Sequence, residues 1–297
     1  MKLLRAHTVV LGMLAGLALA ADAVTRTIEI EGDYQGDVRN GPWNYSGTVA
    51  SPVKAKVSNL SISSTTAKLS APSGTPMATA KGQRDAEFTG SVKVSRTRVA
   101  AEGSSLKYSE KTGIGLLTGQ AQSSMVYTPD GKDVDTVKVT ADSMSFDVDT
   151  SESTSSGNVQ LINGRQTAVT GTLKFNEKTE LAELSGKVTL VRQPSKQGEN
   201  VLNITGDTAK IQTNKDKKLL LVNGKEVKLV DGNVTTTGLT IYYDDKKNTA
   251  VIVGNPAKSF DSKSKTTLQG GTLEHRTDLH RARVLSGGFK IPVEQFK

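Results

Sequence analysis

The chain has no cysteine, a single tryptophan and only 4% aromatic residues. Without cysteine there is no disulfide, no thiolate metal ligand, no thiol nucleophile and no lipid-modified cysteine at a processed N-terminus. Beyond residue 23 no apolar run approaches the roughly 20 residues that a membrane helix needs. No twelve-residue window there carries a 3.6-residue apolar period either, which argues against long amphipathic helices. Histidine is scarce, with His7, His275 and His280 the only three. Gly-x-Ser-x-Gly and Gly-x-x-x-x-Gly-Lys are both missing, so neither an esterase elbow nor a nucleotide loop is supported. No catalytic residue, no cofactor and no metal site is expected. His275, Asp278 and His280 lack a further ligand and read as a polar turn. Asp130, Asp133 and Asp135, like Asp142, Asp147 and Asp149, do not follow the order of a calcium loop and read as solvated carboxylates.

Thr, Ser, Gly and Val are abundant, which fits a repetitive β-protein. The net charge is +8, from 38 basic and 30 acidic residues. The basic residues are spread along the chain, as on a solvated surface, so no nucleic-acid partner is expected. At the start, Lys2 and Arg5 precede an apolar run from Thr8 to Leu19. Small-residue sites follow at Ala18-Leu19-Ala20 and Ala21-Asp22-Ala23. Residues 1–23 read as a secretory signal peptide, cleaved after Ala20 or Ala23, and the mature protein as exported.

Residues 24–87 read as an irregular N-terminal β region with a Pro-rich loop, Ser70-Ala-Pro-Ser-Gly-Thr-Pro-Met-Ala. Residues 88–297 form a repeat. One mark is a small residue three places before an apolar-x-bulky pair: Gly103 (Leu106, Tyr108), Ala141 (Met144, Phe146) and Thr170 (Leu173, Phe175), with Gly206, Gly238 and Gly270 continuing it. The other is a glycine leading a new apolar pair: Gly90, Gly119, Gly157, Gly186, Gly224, Gly254 and Gly287. Their spacing of roughly 33 residues indicates stacked supersecondary units. Midpoints between the marks fall in turns such as Asn163-Gly164, Asp231-Gly232 and Pro129-Asp130-Gly131, which are hairpin signals.

The chain is therefore a meander of long antiparallel strands, each with a small residue near its middle. A glycine there weakens a strand unless a bulge or bend uses it. The alternation slips by one residue after Gly103, Ala141, Gly206 and Gly224, and keeps phase after Gly186. These positions predict a crease that folds the sheet over itself. The expected fold is all-β: an elongated, folded-over antiparallel β-sandwich built from bent hairpins, with an apolar interior. Val159, Leu161, Leu173, Phe175, Val188, Leu190, Ile211, Ile241, Tyr243, Phe289 and Ile291 should line it. For any one of them, plain core packing competes with a role in holding lipid tails. A last strand around Gly287–Val293 would leave a sheet edge open to strand addition.

The run Ser156-Gly-Asn-Val-Gln-Leu-Ile-Asn-Gly-Arg-Gln-Thr-Ala-Val-Thr-Gly-Thr-Leu-Lys-Phe resembles the repeat of the OstA/LptA-like periplasmic proteins. Leu184-Ser-Gly-Lys-Val-Thr-Leu, Asn203-Ile-Thr-Gly-Asp-Thr-Ala and Ala250-Val-Ile-Val-Gly-Asn-Pro-Ala resemble it too. The likeness runs over about 135–291, extends to 88–134, and does not reach 24–87. It implies a β-taco (or β-jellyroll) that holds lipopolysaccharide acyl chains inside and acts in outer-membrane assembly. It also implies end-to-end homo-oligomers, an inner-membrane transporter and an outer-membrane barrel as partners, and a periplasmic location. The cargo would be lipopolysaccharide or another envelope glycolipid, with Lys187, Arg192 and Lys258 as candidates to meet its headgroup. The competing reading is a structural or adhesive envelope β-protein with a sealed core.

Overall fold

The computed structural model describes residues 25–126, 136–214, 216–287 and 289–297. The proposed signal peptide, the Pro129–Gly131 turn and Asp130, Asp133 and Asp135 lie outside the described residues.

Six short strands come first: β1 (Glu29–Ile30), β2 (Tyr34–Gln35), β3 (Trp43–Ser46), β4 (Val53–Val57), β5 (Leu60–Ser64) and β6 (Thr66–Ser70). Twelve long ones follow, beginning with β7 (Asp85–Arg96), β8 (Val99–Ser109), β9 (Ile114–Met125) and β10 (Val137–Asp147). Next are β11 (Glu152–Asn163), β12 (Gln166–Asn176), β13 (Leu181–Arg192) and β14 (Leu202–Gln212). The series closes with β15 (Leu219–Asp231), β16 (Val234–Asp244), β17 (Thr249–Asp261) and β18 (Thr266–Arg276), then a short β19 (Arg281–Val284). All 19 strands belong to one open antiparallel sheet.

Each long strand is two half-strands joined at a bulge. Among residues 137–276 the register shifts in mid-strand at every pairing. One set of halves forms leaf A, which carries Leu173 and Phe175; the other forms leaf B, which carries Val188 and Leu190. The first six strands continue the same plan with the halves separated. β6 pairs with the first half of β7 and β5 with the second. β3 then pairs with β6 and β4 with β5, and β2 with β3 and β1 with β4. The N-terminal extension thus adds three interrupted rungs, and the ladder runs unbroken across residue 87.

At Gly103, Ala141 and Gly206 the bulge lies in the opposite strand from the one the alternation picks out, and at Gly224 it lies in the strand picked. Between β13 and β14, Ser185 and Val188 flank two residues where Thr208 and Gly206 flank one. The two extra-length residues are Gly186 (φ 85) and Lys187 (φ 62), both left-handed. Gly90–Ser91, Gly119–Gln120 and Gly157–Asn158 repeat this pair. Two consecutive left-handed residues turn the chain through the crease and restore its phase, so Leu184, Val188 and Leu190 all still point inward. The partner strand crosses with one residue fewer and shows the phase change instead. β15 and β17 cross with longer insertions, Asn223 to Val227 and Val253 to Ala257.

Folded this way, the inner faces of both leaves form one apolar cluster running from Ile28 to Leu273. Each fully buried Leu, Ile or Val contributes roughly 1.5–3 kcal/mol relative to an exposed one. The small residues facing the crease let the leaves approach. A Cβ on Gly238 would stand 2.7 Å from the Val253 carbonyl oxygen and 2.6 Å from Ile252.

The C-terminus departs from expectation. Among the described residues no strand follows Val284; a 3₁₀ turn, Val293–Phe296, lies there instead. This segment lies on the outer face of leaf A, where Leu181, Leu219, Leu221, Tyr242 and Val251 form a second apolar cluster around Phe296. Tyr242 meets the rings of Phe289 at 5.9 Å and Phe296 at 6.3 Å.

Gly238→Ala should lower stability by about 1–3 kcal/mol, the usual cost of overpacking. Gly271→Ala, where an added Cβ meets nothing within 4 Å, should change it by under about 0.5 kcal/mol. Thermal melts of the two variants check this.

Candidate functional site: the apolar interior and its mouth

Nine of the expected interior residues lie in the central cluster: Val159, Leu161, Leu173, Phe175, Val188, Leu190, Ile211, Ile241 and Tyr243. Phe289 and Ile291 do not. Phe289 is 38% exposed and Ile291 packs on the outer cluster, because no ladder remains beyond β19 to carry them inward. Sequence reasoning missed the outer cluster, although runs such as Leu219-Leu220-Leu221-Val222 and Tyr242-Tyr243 signal it by breaking alternation.

The interior is filled. Among the described residues, two voids between the leaves hold about 10 and 20 Å³, room for about a single water each. No acyl chain fits without movement of the leaves. The leaves are joined by backbone at the crease and meet at the opposite side, the mouth, through side chains.

Those side chains form a series of clasps. At the N-terminal end Glu110 and Arg84, neighbours on leaf A paired at 2.6 Å, reach together across to leaf B. Glu110 accepts from the Ile28 N–H at 2.8 Å and Arg84 Nη2 donates to the Ile28 carbonyl at 3.1 Å, while the Gly82 N–H donates to Glu110 at 2.8 Å. Burial works against the Glu110 carboxylate, but these donors outweigh it and hold its pKa below the usual range. Next, Arg98 pairs with Glu180 at 2.6 Å and Arg96 with Glu177 at 3.4 Å. Further along, Asp245 accepts from Arg192 Nε at 2.8 Å, Tyr243 Oη at 2.9 Å and Arg165 at 3.3 Å. Arg192, expected to meet a headgroup, is instead buried in this clasp. The sequence gives no local sign of these pairs, since each joins positions far apart in the chain.

The last clasp contains both histidines. Asp231 on leaf B accepts from His275 Nε2 and His280 Nδ1 of the β18–β19 hairpin, each at 2.9 Å, and from Asn200 at 2.9 Å. His280 Nε2 faces the Gly198 carbonyl at 3.2 Å. Each ring nitrogen of His280 thus has an acceptor in reach, as the imidazolium requires, while Nδ1 also lies 3.1 Å from the Asn200 amide nitrogen. Burial opposes that charge, but the Asp231 hydrogen bond and charge and the Gly198 carbonyl raise the His280 pKa above its usual value. Desolvation likewise opposes the Asp231 carboxylate, and its three donors win, holding its pKa low. His275 Nδ1 lies 3.4 Å from Thr236, which lies 3.0 Å from Ser259. This hydroxyl–imidazole–carboxylate row has the types of a nucleophilic triad, but all four side chains are buried. Among the described residues no group of three His, Cys, Asp or Glu is placed to hold a metal ion.

The net charge also has a location. On the outer face of leaf A, Lys107, Lys174, Lys210 and Arg283 pair with Glu87, Glu152, Glu183 and Glu274. On leaf B, Lys54, Lys56, Lys93, Lys138, Lys228 and Lys258 point outward, and among the described residues no ion pair holds them. Leaf B is therefore the more positive face.

The histidine clasp sets a pH dependence. The lowered pKa of Asp231 stabilises the fold above its ordinary 3.8, and this is lost as pH falls through the folded value. The raised pKa of His280 stabilises below its ordinary 6.5, and this is lost as pH rises through the folded value. His280→Gln should therefore flatten the decline in melting temperature between about pH 6 and 8, which thermal melts across that range check.

No protein-family model matches the chain, and no curated protein matches it. Among solved structures, the chain is similar to LptH from Pseudomonas aeruginosa, titled the LptA homologous periplasmic component of the conserved lipopolysaccharide transport device. The likeness is 15% identical, covers 44% of this chain and 80% of that one, and has a TM-score of 0.32.

Proposed function

We propose that the protein is a non-enzymatic lipid carrier of the exported, periplasmic kind, shielding acyl chains of lipopolysaccharide or another envelope glycolipid between its leaves. The observation that carries the reading is the apolar cluster itself, which runs along the whole open sheet behind a mouth closed by side chains alone. The repeat's resemblance to the OstA/LptA-like pattern supports it. Magnitudes allow it as well. A twelve-carbon chain gains roughly 9 kcal/mol on leaving water, at about 0.8 kcal/mol per methylene. Breaking one buried ion pair costs about 3–5 kcal/mol. One chain can thus offset one or two clasps, so loading would open the mouth locally. An inner-membrane transporter and an outer-membrane barrel are the partners this reading implies. For end-to-end assembly the available edge is Thr266–Gly270 of β18, which β19 leaves uncovered, rather than the C-terminal segment.

The filled interior and buried clasps favour a second reading, a structural envelope β-protein whose core stays sealed. Photo-crosslinkers separate the two. Probes replacing buried Phe175 and Leu190 should capture lipid from envelope extracts, while probes at exposed Lys174 and Thr189 should not. Absence of lipid at all four positions would establish the sealed core.

A further inference from the structure

One stretch of the mouth differs from the rest. Between the β7–β8 turn and the β12–β13 turn lies a cavity of about 230 Å³. Arg96, Arg98 and Lys178 border it with one carboxylate, Glu177, and Val99 and Met125 supply apolar wall. Arg98 is engaged by Glu180 at 2.6 Å. Arg96 is poorly matched. Its side chain is 2% exposed, yet Glu177 is 3.4 Å away and Nε has no hydrogen-bond partner. Its Nη2 donates to the Asp147 carbonyl at 2.9 Å. A buried guanidinium N–H left unpaired is costly, and such groups in native structures call for an explanation. Glu177 is uncomfortable as well: burial raises its pKa, and the nearby Arg96 and Arg98 only partly offset this.

The same two apolar residues, Val99 and Met125, also border the 20 Å³ void inside the sandwich, beside Leu173 and Phe175. The opposite wall of that void carries Ser153 and Ser155, where β13 in the same leaf carries Ala182 and Leu184. The cationic cavity thus abuts a thinly filled part of the core.

We propose that this cavity binds a phosphate-type anion, with Arg96 as its main donor and Glu177 as the group the anion displaces. An amphiphile with a phosphate headgroup would seat the phosphate here and pass its chain by Met125 toward Phe175. Three cations against the two carboxylates Glu177 and Glu180 leave an excess positive charge that suits an oxyanion, and the Arg96 guanidinium fork matches its oxygens. The amphiphile half rests on the lipid-carrier reading; the anion half does not.

Calorimetric titration of the full chain with inorganic phosphate, dodecyl phosphate and neutral dodecyl maltoside tests both halves. Dodecyl phosphate should bind about tenfold more weakly to Arg96→Gln and a few-fold more weakly to Lys178→Gln, which is exposed and leaves the fold intact. Glu177→Gln should bind it a few-fold more tightly, a gain that mere damage to the clasp would not produce. Dodecyl maltoside should be indifferent to all three. If phosphate binds with the same Arg96 dependence but neither dodecyl compound adds affinity, the anion site stands and the lipid reading falls. If both dodecyl compounds bind alike in every variant, the lipid reading stands and the anion site is overturned. No binding of either phosphate compound, or no gain in Glu177→Gln, also overturns it.

Discussion

Folding one sheet along a crease fixes everything else in this molecule. Among the described residues, backbone-to-backbone hydrogen bonds run along each leaf and none crosses the mouth, so one side of the sandwich is covalent and the other is held through side chains. The crease needs residues that turn the chain in mid-strand, which Gly186–Lys187 and its repeats supply as left-handed pairs. The mouth needs polar groups that close an apolar interior, which Glu110–Ile28, Arg98–Glu180, Arg192–Asp245 and His275–Asp231 supply. Buried ion pairs are poor sources of net stability compared with apolar packing. Their placement on the one side without backbone connection is what an opening seam requires.

The seam is not uniform. Glu110 and Asp245 each collect several donors, whereas the Glu177 carboxylate has a single long contact with Arg96, although its carbonyl accepts from Arg98 at 3.1 Å. Resistance to opening should therefore be lowest at the Arg96–Glu177 contact itself, where serines also thin the core. A carrier that loads locally needs one such weak point and firm clasps elsewhere. The clasp at the far end, built on Asp231 and two histidines, is the one whose strength depends on neutral-range pH.

The meander, the crease and most of the interior were legible in the sequence because their signals are local. Asn163-Gly164 and Asp231-Gly232 mark hairpin turns, and Leu173 with Phe175 or Val188 with Leu190 mark inward faces by alternation. The clasps were not legible. They join residues 81 apart at Arg96–Glu177 and 53 apart at Arg192–Asp245, through an offset between leaves that no local pattern encodes. Phe289 and Ile291 alternate like strand residues, but a strand needs a partner, and the outer face of leaf A offered them burial instead. The first three rungs were hidden because breaks at 31–33, 47–52 and Thr65 split each into two short strands.

The central claim is that the leaves part at the mouth to admit an acyl chain. The cysteine-free chain makes a direct measurement simple. Spin labels on Thr97→Cys of leaf B and Thr179→Cys of leaf A sit on facing turns, both exposed. Their distance distribution, read by pulsed dipolar spectroscopy, should lengthen as dodecyl phosphate is added and return when it is removed. A distribution unchanged at saturating ligand would contradict the account.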